Sequence, residues 1–193
     1  MPVVGLLAVS LAVAVLIALH VVGRSLSPVQ RTISEYALLG TAPRALFAAF
    51  SLSLALAALA VLVAELSRPV ATVSLAVFAL GTTAVAFVPT DEIDPVAGDF
   101  ELSRSGRIHT VAALAAFMGI VVAGFAVGQV GLAALSPVVP FLPFLGTLAF
   151  VVTLAARKPL VRVFGVPTLH GIGERILVLA DLAWLGIVLA SHL

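Results

Sequence analysis

The stretch from His170 to Trp184 reads HGIGERILVLADLAW and opens an apolar run that continues almost to the C-terminus. A histidine, a glutamate, an arginine and an aspartate interrupt this run. On an α-helix, His170 and Glu174 are neighbours because they are four residues apart, and Asp181, eleven residues from His170, falls on the same stripe. Ionisable groups are costly in an apolar medium, so we expect this stripe to face protein or a wet cavity.

The composition of the whole chain is that of a membrane protein. Of 193 residues, 62% are hydrophobic and 10% are charged, whereas a soluble domain carries about a quarter charged residues. Several apolar runs approach or exceed the ~18 residues that cross a bilayer. Cysteine is absent, which excludes disulfides, thiolate metal sites and cysteine nucleophiles. The net charge of +1 gives no reason to expect nucleic acid as a partner.

The apolar runs predict an all-α fold, a single domain spanning 1–193 that forms a bundle of six transmembrane helices. The predicted helices run from about Pro2 to Val22, Pro43 to Leu66, Val70 to Val88, Ile108 to Leu132, Val138 to Ala156 and His170 to Ser191. Two prolines, Pro140 and Pro143, indicate that helix five is bent or begins late.

The link between the first two helices, residues 23–42, has its own pattern. Pro28 after Ser27 is typical of a helix start, and apolar residues then recur at helical spacing. We therefore expect a short amphipathic helix that lies on the membrane interface.

Basic residues predict the orientation of the bundle. Links one, three and five, with the adjoining helix ends, hold nine of the ten basic residues: Arg24, Arg31, Arg44, Arg104, Arg107, Arg157, Lys158, Arg162 and Arg175. The opposite side holds Arg68 alone. By the positive-inside rule, this bias predicts that links one, three and five are cytoplasmic and that both termini lie outside the cell membrane. The same topology gathers His20, His109, His170, Glu35 and Asp91 at that face.

Four motifs carry a resemblance to a known family. They are SPVQRTISEYALLG after helix one, FVPTDEID after helix three, GRIHTVAALAAF opening helix four and GIGERILVLADLAWL in helix six. Together they resemble the uncharacterised bacterial and archaeal integral membrane family catalogued as domain of unknown function number 998, over most of the chain. That family has no settled activity. The resemblance implies that the positions to test are Ser34, Glu35, Asp91, His109 and the Gly173-Glu174-Arg175 triplet.

The histidines and acids at this face are candidate ligands for a divalent metal, and some are candidate catalytic groups. The metal candidates are His109, His170, Asp91 and Glu174, and the catalytic candidates are His109, Asp91, Glu174 and Glu35. Water on such a metal would serve an intramembrane hydrolase. Against this, a compact spacing such as HExxH is absent. Haem is disfavoured further, because the histidines lie near the membrane boundary and nothing else marks a macrocycle pocket.

Five residues are candidates for ligand binding: Arg107, Arg175, His170, Tyr36 and Ser34. Arginines at the cytoplasmic boundary bind the phosphate of an anionic lipid, although the positive-inside rule by itself also places arginines there. Arg175 stands apart because it lies inside helix six. Ser34 beside Glu35 is a conceivable nucleophile, but it equally suits the cap of a turn.

We therefore predict a polar cavity of His, Asp, Glu and Arg side chains at one membrane face. This cavity binds a membrane lipid or other amphiphile and, if it is catalytic, also modifies it. The alternative is a non-catalytic membrane scaffold or partner-docking protein whose polar cluster is a structural lock. In a catalytic site the candidate residues converge around an accessible pocket, whereas in a lock each is paired and closed off. A third hypothesis is a proton or ion path formed by Asp181 with Thr82, Thr83 or Gln129, but it depends on a single deep carboxylate.

Overall fold

A computed structural model describes residues 1–92, 102–128, 136–156 and 169–193. These residues form an all-helical protein. Its α-helices are α1 (Pro2–Val22), α2 (Thr41–Ala64), α3 (Pro69–Phe87), α4 (Arg104–Val127), α5 (Leu142–Ala155) and α6 (His170–Ala190). Two short 3-10 helices, Ser34–Leu39 and Val139–Phe141, precede α2 and α5.

Four helices, α1 to α4, are long and apolar enough to cross a membrane. They contain 19 to 24 residues, and about 20 suffice for a hydrocarbon core of about 30 Å. The α5 segment is shorter, and α6 is long enough but carries Glu174, Arg175 and Asp181. The chain is thus a multi-pass helical membrane protein, in which four of the six expected spans qualify by length and composition.

The predicted boundaries of α1, α2, α3 and α6 agree with the structure to within two residues, whereas those of α4 and α5 differ more. Helix α4 begins at Arg104, four residues before the predicted start. Ser103 caps it, because its side chain accepts a hydrogen bond from the Gly106 N–H at 3.0 Å. The predicted end of this helix at Leu132 lies outside the described residues. Helix α5 begins late, as its prolines indicated.

The link between α1 and α2 differs from the prediction. A short helix is present, but it is a 3-10 helix that begins at Ser34, and its residues Ser34, Glu35 and Tyr36 are buried against the bundle. Ile33 and Tyr36 are each 1% exposed. The N–H groups of Thr32 and Ile33 donate to the carboxylates of Glu35 and Glu174. These backbone donors are therefore bound by side chains.

Small residues bring the helices into close contact. At Gly119 of α4, an added Cβ would lie 2.7 Å from the Ser74 carbonyl oxygen and 2.9 Å from the Phe78 nitrogen of α3. Only a glycine permits this approach, as in many membrane helix pairs. The core around it is aliphatic and aromatic, and Trp184 of α6 is fully buried within it.

The antiparallel order of the helices gathers the charged residues at one end of the bundle, where α1 and α3 end and α2, α4 and α6 begin. We call this the polar end. At the other end, Arg68 donates to the Val127 carbonyl and pairs with Glu65 at 3.2 Å. Glu65 also bonds His192 at 2.9 Å. Arg68 thus lies opposite Arg24 and Arg104, as predicted; Lys158 lies outside the described residues.

The close approach of α3 and α4 predicts that Gly119→Ala destabilises the protein. The added methyl group overpacks the interface, at a cost of about 1–3 kcal/mol. A matched control is Gly186→Ala, where the nearest atom to the added Cβ is Val9 Cγ1 at 3.9 Å. Alanine there should be neutral or slightly stabilising. Thermal unfolding in detergent measures both, and equal melting temperatures would contradict the close approach.

Candidate functional site

Arg175, in the second turn of α6, joins this helix to α1 and to the first link. Its Nε donates to His20 Nε2 at 2.8 Å, and its Nη2 donates to the Tyr36 hydroxyl at 3.0 Å. Its Nη1 donates to the carbonyls of Gly171 at 2.8 Å and Arg31 at 3.0 Å. All four acceptors are neutral. Among the described residues, no carboxylate lies within salt-bridge distance of this guanidinium.

The partners of His20 define its protonation state. Its Nδ1 lies 2.7 Å from the Leu16 carbonyl, which only accepts, so Nδ1 carries the proton. Its Nε2 accepts from Arg175 and is therefore bare. His20 is thus a neutral imidazole here. The Tyr36 ring packs against it at 5.3 Å, and the Arg175 guanidinium lies 5.6 Å from the Tyr36 ring centroid.

Glu174 points away from Arg175 and toward the first link. Its carboxylate accepts a hydrogen bond from the Ile33 N–H. A second contact between the same segments runs from the Ile172 N–H to the Val29 carbonyl at 3.3 Å. The start of α6 is therefore fastened to the link through both a side chain and the backbone.

Glu35 organises the link itself. It accepts from the Thr32 N–H at 2.7 Å and the Thr32 hydroxyl at 2.9 Å, and it pairs with Arg31 at 2.9 Å. Arg31 also pairs with Glu92 at 3.1 Å, which reaches the segment after α3. Burial lowers the pKa of Arg31, but the hydrogen bond and charge of Glu35, with Glu92, outweigh it and raise the pKa. Arg31 therefore stays charged and ties the two segments together.

His109 and Asp91 occupy the α3–α4 side of the polar end. His109 is buried, its Nδ1 donates to the Val88 carbonyl at 2.8 Å, and its ring stacks on Phe47 with centroids 6.5 Å apart. Asp91 accepts from the Ser103 N–H and hydroxyl, both at 2.7 Å. Asp91 thus supports the start of α4 and does not join the residues around Glu174.

A cavity of about 60 Å³ lies beneath the polar end, between α2, α3, α4 and α6. Its walls are mainly apolar, but six polar side chains line it: Ser34, Ser51, Thr82, His109, Glu174 and Asp181. A space of this size holds a few water molecules. Two of the four predicted metal ligands, His109 and Glu174, therefore share one cavity, whereas Asp91 and His170 do not line it.

The stripe on α6 faces the bundle interior, as its spacing predicted. His170 is 1% exposed and Asp181 is 3% exposed. Asp181 and Glu174 line the same cavity. The prediction that Asp181 does not point into lipid is therefore confirmed.

The other candidate site residues lie in different parts of the structure. Among the described residues, no group of three or more His, Asp or Glu side chains has the arrangement of a metal site. The Ser34 hydroxyl lies 3.1 Å from that of Thr32. Arg107 is exposed and donates to the Leu102 carbonyl at 3.2 Å, so it belongs to the start of α4 and not to the Arg175 network.

An open groove of about 430 Å³ runs between α1 and α6 on the outside of the bundle. Leu16, Ile17, Val21 and Leu179 form its apolar walls, and His20 and Arg175 close its polar end. Its volume is in the range of small-molecule sites, about 300–1,000 Å³. No sequence pattern predicts this groove, because it depends on how two helices pack.

The family model described as "Protein of unknown function (DUF998)" matches residues 6–191. The chain belongs to the DUF998 family. No curated protein and no solved structure matches it. In this DUF998 protein, described residues of the motifs that carried the resemblance lie at the polar end: the link around Glu35, Asp91 and His109, and the Glu174-Arg175 pair.

The hydrogen bonds of Arg175 predict a large effect of a conservative change in this DUF998 protein. Arg175→Lys keeps the charge, but a lysine ammonium cannot reach four separated acceptors. We expect a loss of about 2–4 kcal/mol in stability, because buried acceptors are left unpaired. Arg24→Lys, at an exposed arginine on the same face, should change stability by about 0.5 kcal/mol or less. Similar melting temperatures for the two variants would contradict the network.

Proposed function

We propose that this protein binds a membrane lipid with an anionic headgroup at the polar end. The headgroup lies at Arg175 and an acyl chain lies in the groove between α1 and α6. The observation that carries this proposal is the position of Arg175, a guanidinium at the head of an open apolar groove whose acceptors, among the described residues, are all neutral.

The chemistry of Arg175 suits a phosphate. A guanidinium has five N–H donors, and four of them are used by His20, Tyr36 and two carbonyls. Among the described residues, one N–H of Nη2 has no acceptor and is left for a phosphate oxygen. The four bonds hold the guanidinium in place, so little freedom is lost when the anion binds. Charge-assisted bonds to phosphate at a membrane boundary are strong.

The groove suits the chain of the lipid. Ile17, Val21 and Leu179 are 61%, 65% and 58% exposed on the bundle surface, so in a membrane they contact lipid. Burying a lipid chain there gains little by hydrophobicity, since lipid tails are as apolar as the wall. The groove therefore positions the chain, and the choice between lipids depends on the headgroup.

The proposal concerns binding and not modification of the lipid. Modification needs a nucleophile beside a base, or a metal, close to the bound headgroup. Ser34 lines the inner cavity and bonds with Thr32, away from the groove. His20, the histidine in the groove, already has a partner on each ring nitrogen.

A second candidate is a scaffold whose polar cluster only locks the bundle. It is favoured by the pairing of Glu174 with Ile33, of Glu35 with Thr32, and of Arg175 with four acceptors. The stability of such a scaffold would not depend on the lipid headgroup. This difference separates the two functions by experiment.

We further propose that all six helices cross the membrane and that the polar end is cytoplasmic. Helix α6 is long enough to span, and Asp181, its deepest ionisable residue, is buried in the bundle. The excess of basic residues at the polar end supports the orientation, because basic residues in short loops stay in the cytoplasm. Both termini are then outside the cell.

The lipid proposal predicts a headgroup-dependent stability. In detergent micelles, added phosphatidylglycerol should raise the melting temperature by about 2–6 °C over phosphatidylcholine, as expected for ~1–2 kcal/mol of binding. Ile17→Trp, which fills the groove, should remove this difference. Leu7→Trp is the matched control, since Leu7 is on the same helix, is 66% exposed and lies outside the groove.

Two results would contradict lipid binding in the groove. One is an equal response of the wild-type protein to both lipids, which favours the scaffold. The other is an equal loss of the phosphatidylglycerol effect in both tryptophan variants, which would show that the groove is not where the lipid acts.

The orientation is tested with single cysteines in a chain that has none of its own. Ser67→Cys lies at the exposed turn beside Arg68, and Ser25→Cys lies in the exposed turn after α1 at the polar end. A membrane-impermeant maleimide should label Ser67→Cys in intact cells and Ser25→Cys only after permeabilisation. The reverse pattern would place the polar end outside.

A further inference from the structure

Asp181 is a carboxyl group deep in the bundle that neither the lipid site nor the lock uses. It is 3% exposed, and its Oδ1 has no hydrogen-bond partner among the described residues. It lies seven residues below Glu174 along α6, which corresponds to about 10 Å at 1.5 Å per residue. An ionisable group at such a depth points to a functional site by default.

The groups that face Asp181 come from every element around the cavity. They are Ser34 of the link, Ser51 of α2, Thr82 of α3, His109 of α4 and Glu174 of α6. Arginine and lysine are missing from this set, so the described lining offers no permanent positive charge to pair with a carboxylate. Thr82 donates its hydroxyl to the Phe78 and Ala79 carbonyls. Its oxygen lone pairs are therefore left for cavity water.

A carboxylate without a counter-charge is costly in such surroundings, whereas a neutral carboxylic acid that bonds to water is not. The cavity has room for a few water molecules. Asp181, Glu174 and His109 all line the wall and offer polar partners to such water. The geometry thus supplies both a place for a proton and hydrogen-bonding groups that lead away from it.

A second cavity continues this route toward the polar end. It measures about 50 Å³ and includes Arg44 and Thr90 at the bundle end among its lining residues. The two cavities share Ser34, Phe47 and Val85 as walls, so they are adjacent. Phe47, stacked on His109, stands where they meet.

His109, in the wall of the first cavity, is suited to take up a proton from it. Its Nδ1 donates to the Val88 carbonyl, which only accepts. In the neutral ring, Nε2 is therefore bare and able to take up a proton. Glu174, which lines the same cavity, offers a second acceptor between Asp181 and the polar end.

We propose that Asp181 is an internal proton-binding site that exchanges its proton with the polar end through these two cavities. In the exchange, the Asp181 carboxylic acid transfers H⁺ to cavity water and becomes a carboxylate. The resulting hydronium passes H⁺ to Glu174 or to His109 Nε2, and from there H⁺ leaves to bulk water. The reverse steps reload the site, and no other reactant is needed. This site is independent of the lipid groove.

The test is infrared spectroscopy of the full chain in lipid bilayers at neutral pH. The wild-type minus Asp181→Asn difference spectrum should contain a carboxylic-acid C=O band, and this band should shift on transfer to D₂O. Glu65→Gln, which removes a buried acid at the opposite end of the bundle outside both cavities, is the control and should retain the band. Absence of the band would mean that Asp181 is ionised, and a band that does not shift in D₂O would mean that no route exists. Either result overturns the proposal.

A matched pair of variants tests whether protons exchange through the cavity. Ser51 and Ser53 are both buried in α2, but Ser51 lines the cavity and Ser53 does not. Ser51→Val should fill the space beside Asp181 and slow the D₂O shift, whereas Ser53→Val should leave its rate unchanged. Equal rates in the two variants would exclude this cavity as the route.

Isotope labelling of the wild-type protein tests the proposal even if the Asp181→Asn variant misfolds. The chain contains four aspartates, Asp91, Asp94, Asp99 and Asp181. Labelling aspartate side-chain carboxyls with ¹³C moves the band only if a protonated aspartic acid produces it. An unmoved band would assign the proton to a glutamate and overturn the proposal.

Discussion

The hydrogen bonds of the Arg175 guanidinium are the interaction on which the polar end depends. They join α6, the end of α1 and the first link through His20, Tyr36 and the Arg31 carbonyl. The link is an irregular segment packed into the bundle, so its buried backbone groups need hydrogen-bond partners within the protein. The Arg175 guanidinium donates to the Arg31 carbonyl. The carboxylates of Glu35 and Glu174 accept from the N–H groups of Thr32 and Ile33.

This fastening shapes the inner cavity and the outer groove. With the link held in place, Ile33 and Ser34 close the top of the inner cavity, and His20 of α1 comes against Arg175 at the head of the outer groove. Consecutive residues on a helix point about 100° apart. Arg175 therefore faces the groove while Glu174 faces the cavity, so one helix serves a lipid site outside and a proton site inside.

Much of this arrangement could be predicted from sequence. Apolar runs located the helices, and the 0, 4, 11 spacing of His170, Glu174 and Asp181 located the buried stripe, because helical periodicity is a local property. In the first link, the predicted short helix is present, but it is a 3-10 helix whose residues Ser34, Glu35 and Tyr36 are buried. Its structure depends on Glu174, which is 141 positions from Ile33, and no local pattern reports such a contact. The groove was missed for the same reason.

The most direct test of the account is an experimental structure in nanodiscs that contain phosphatidylglycerol. The account predicts a phosphate within hydrogen-bonding distance of the Arg175 guanidinium, with its four neutral acceptors in place and an acyl chain along Ile17 and Val21. A carboxylate of the chain itself bound to Arg175, or a groove filled by another part of the protein, would contradict it.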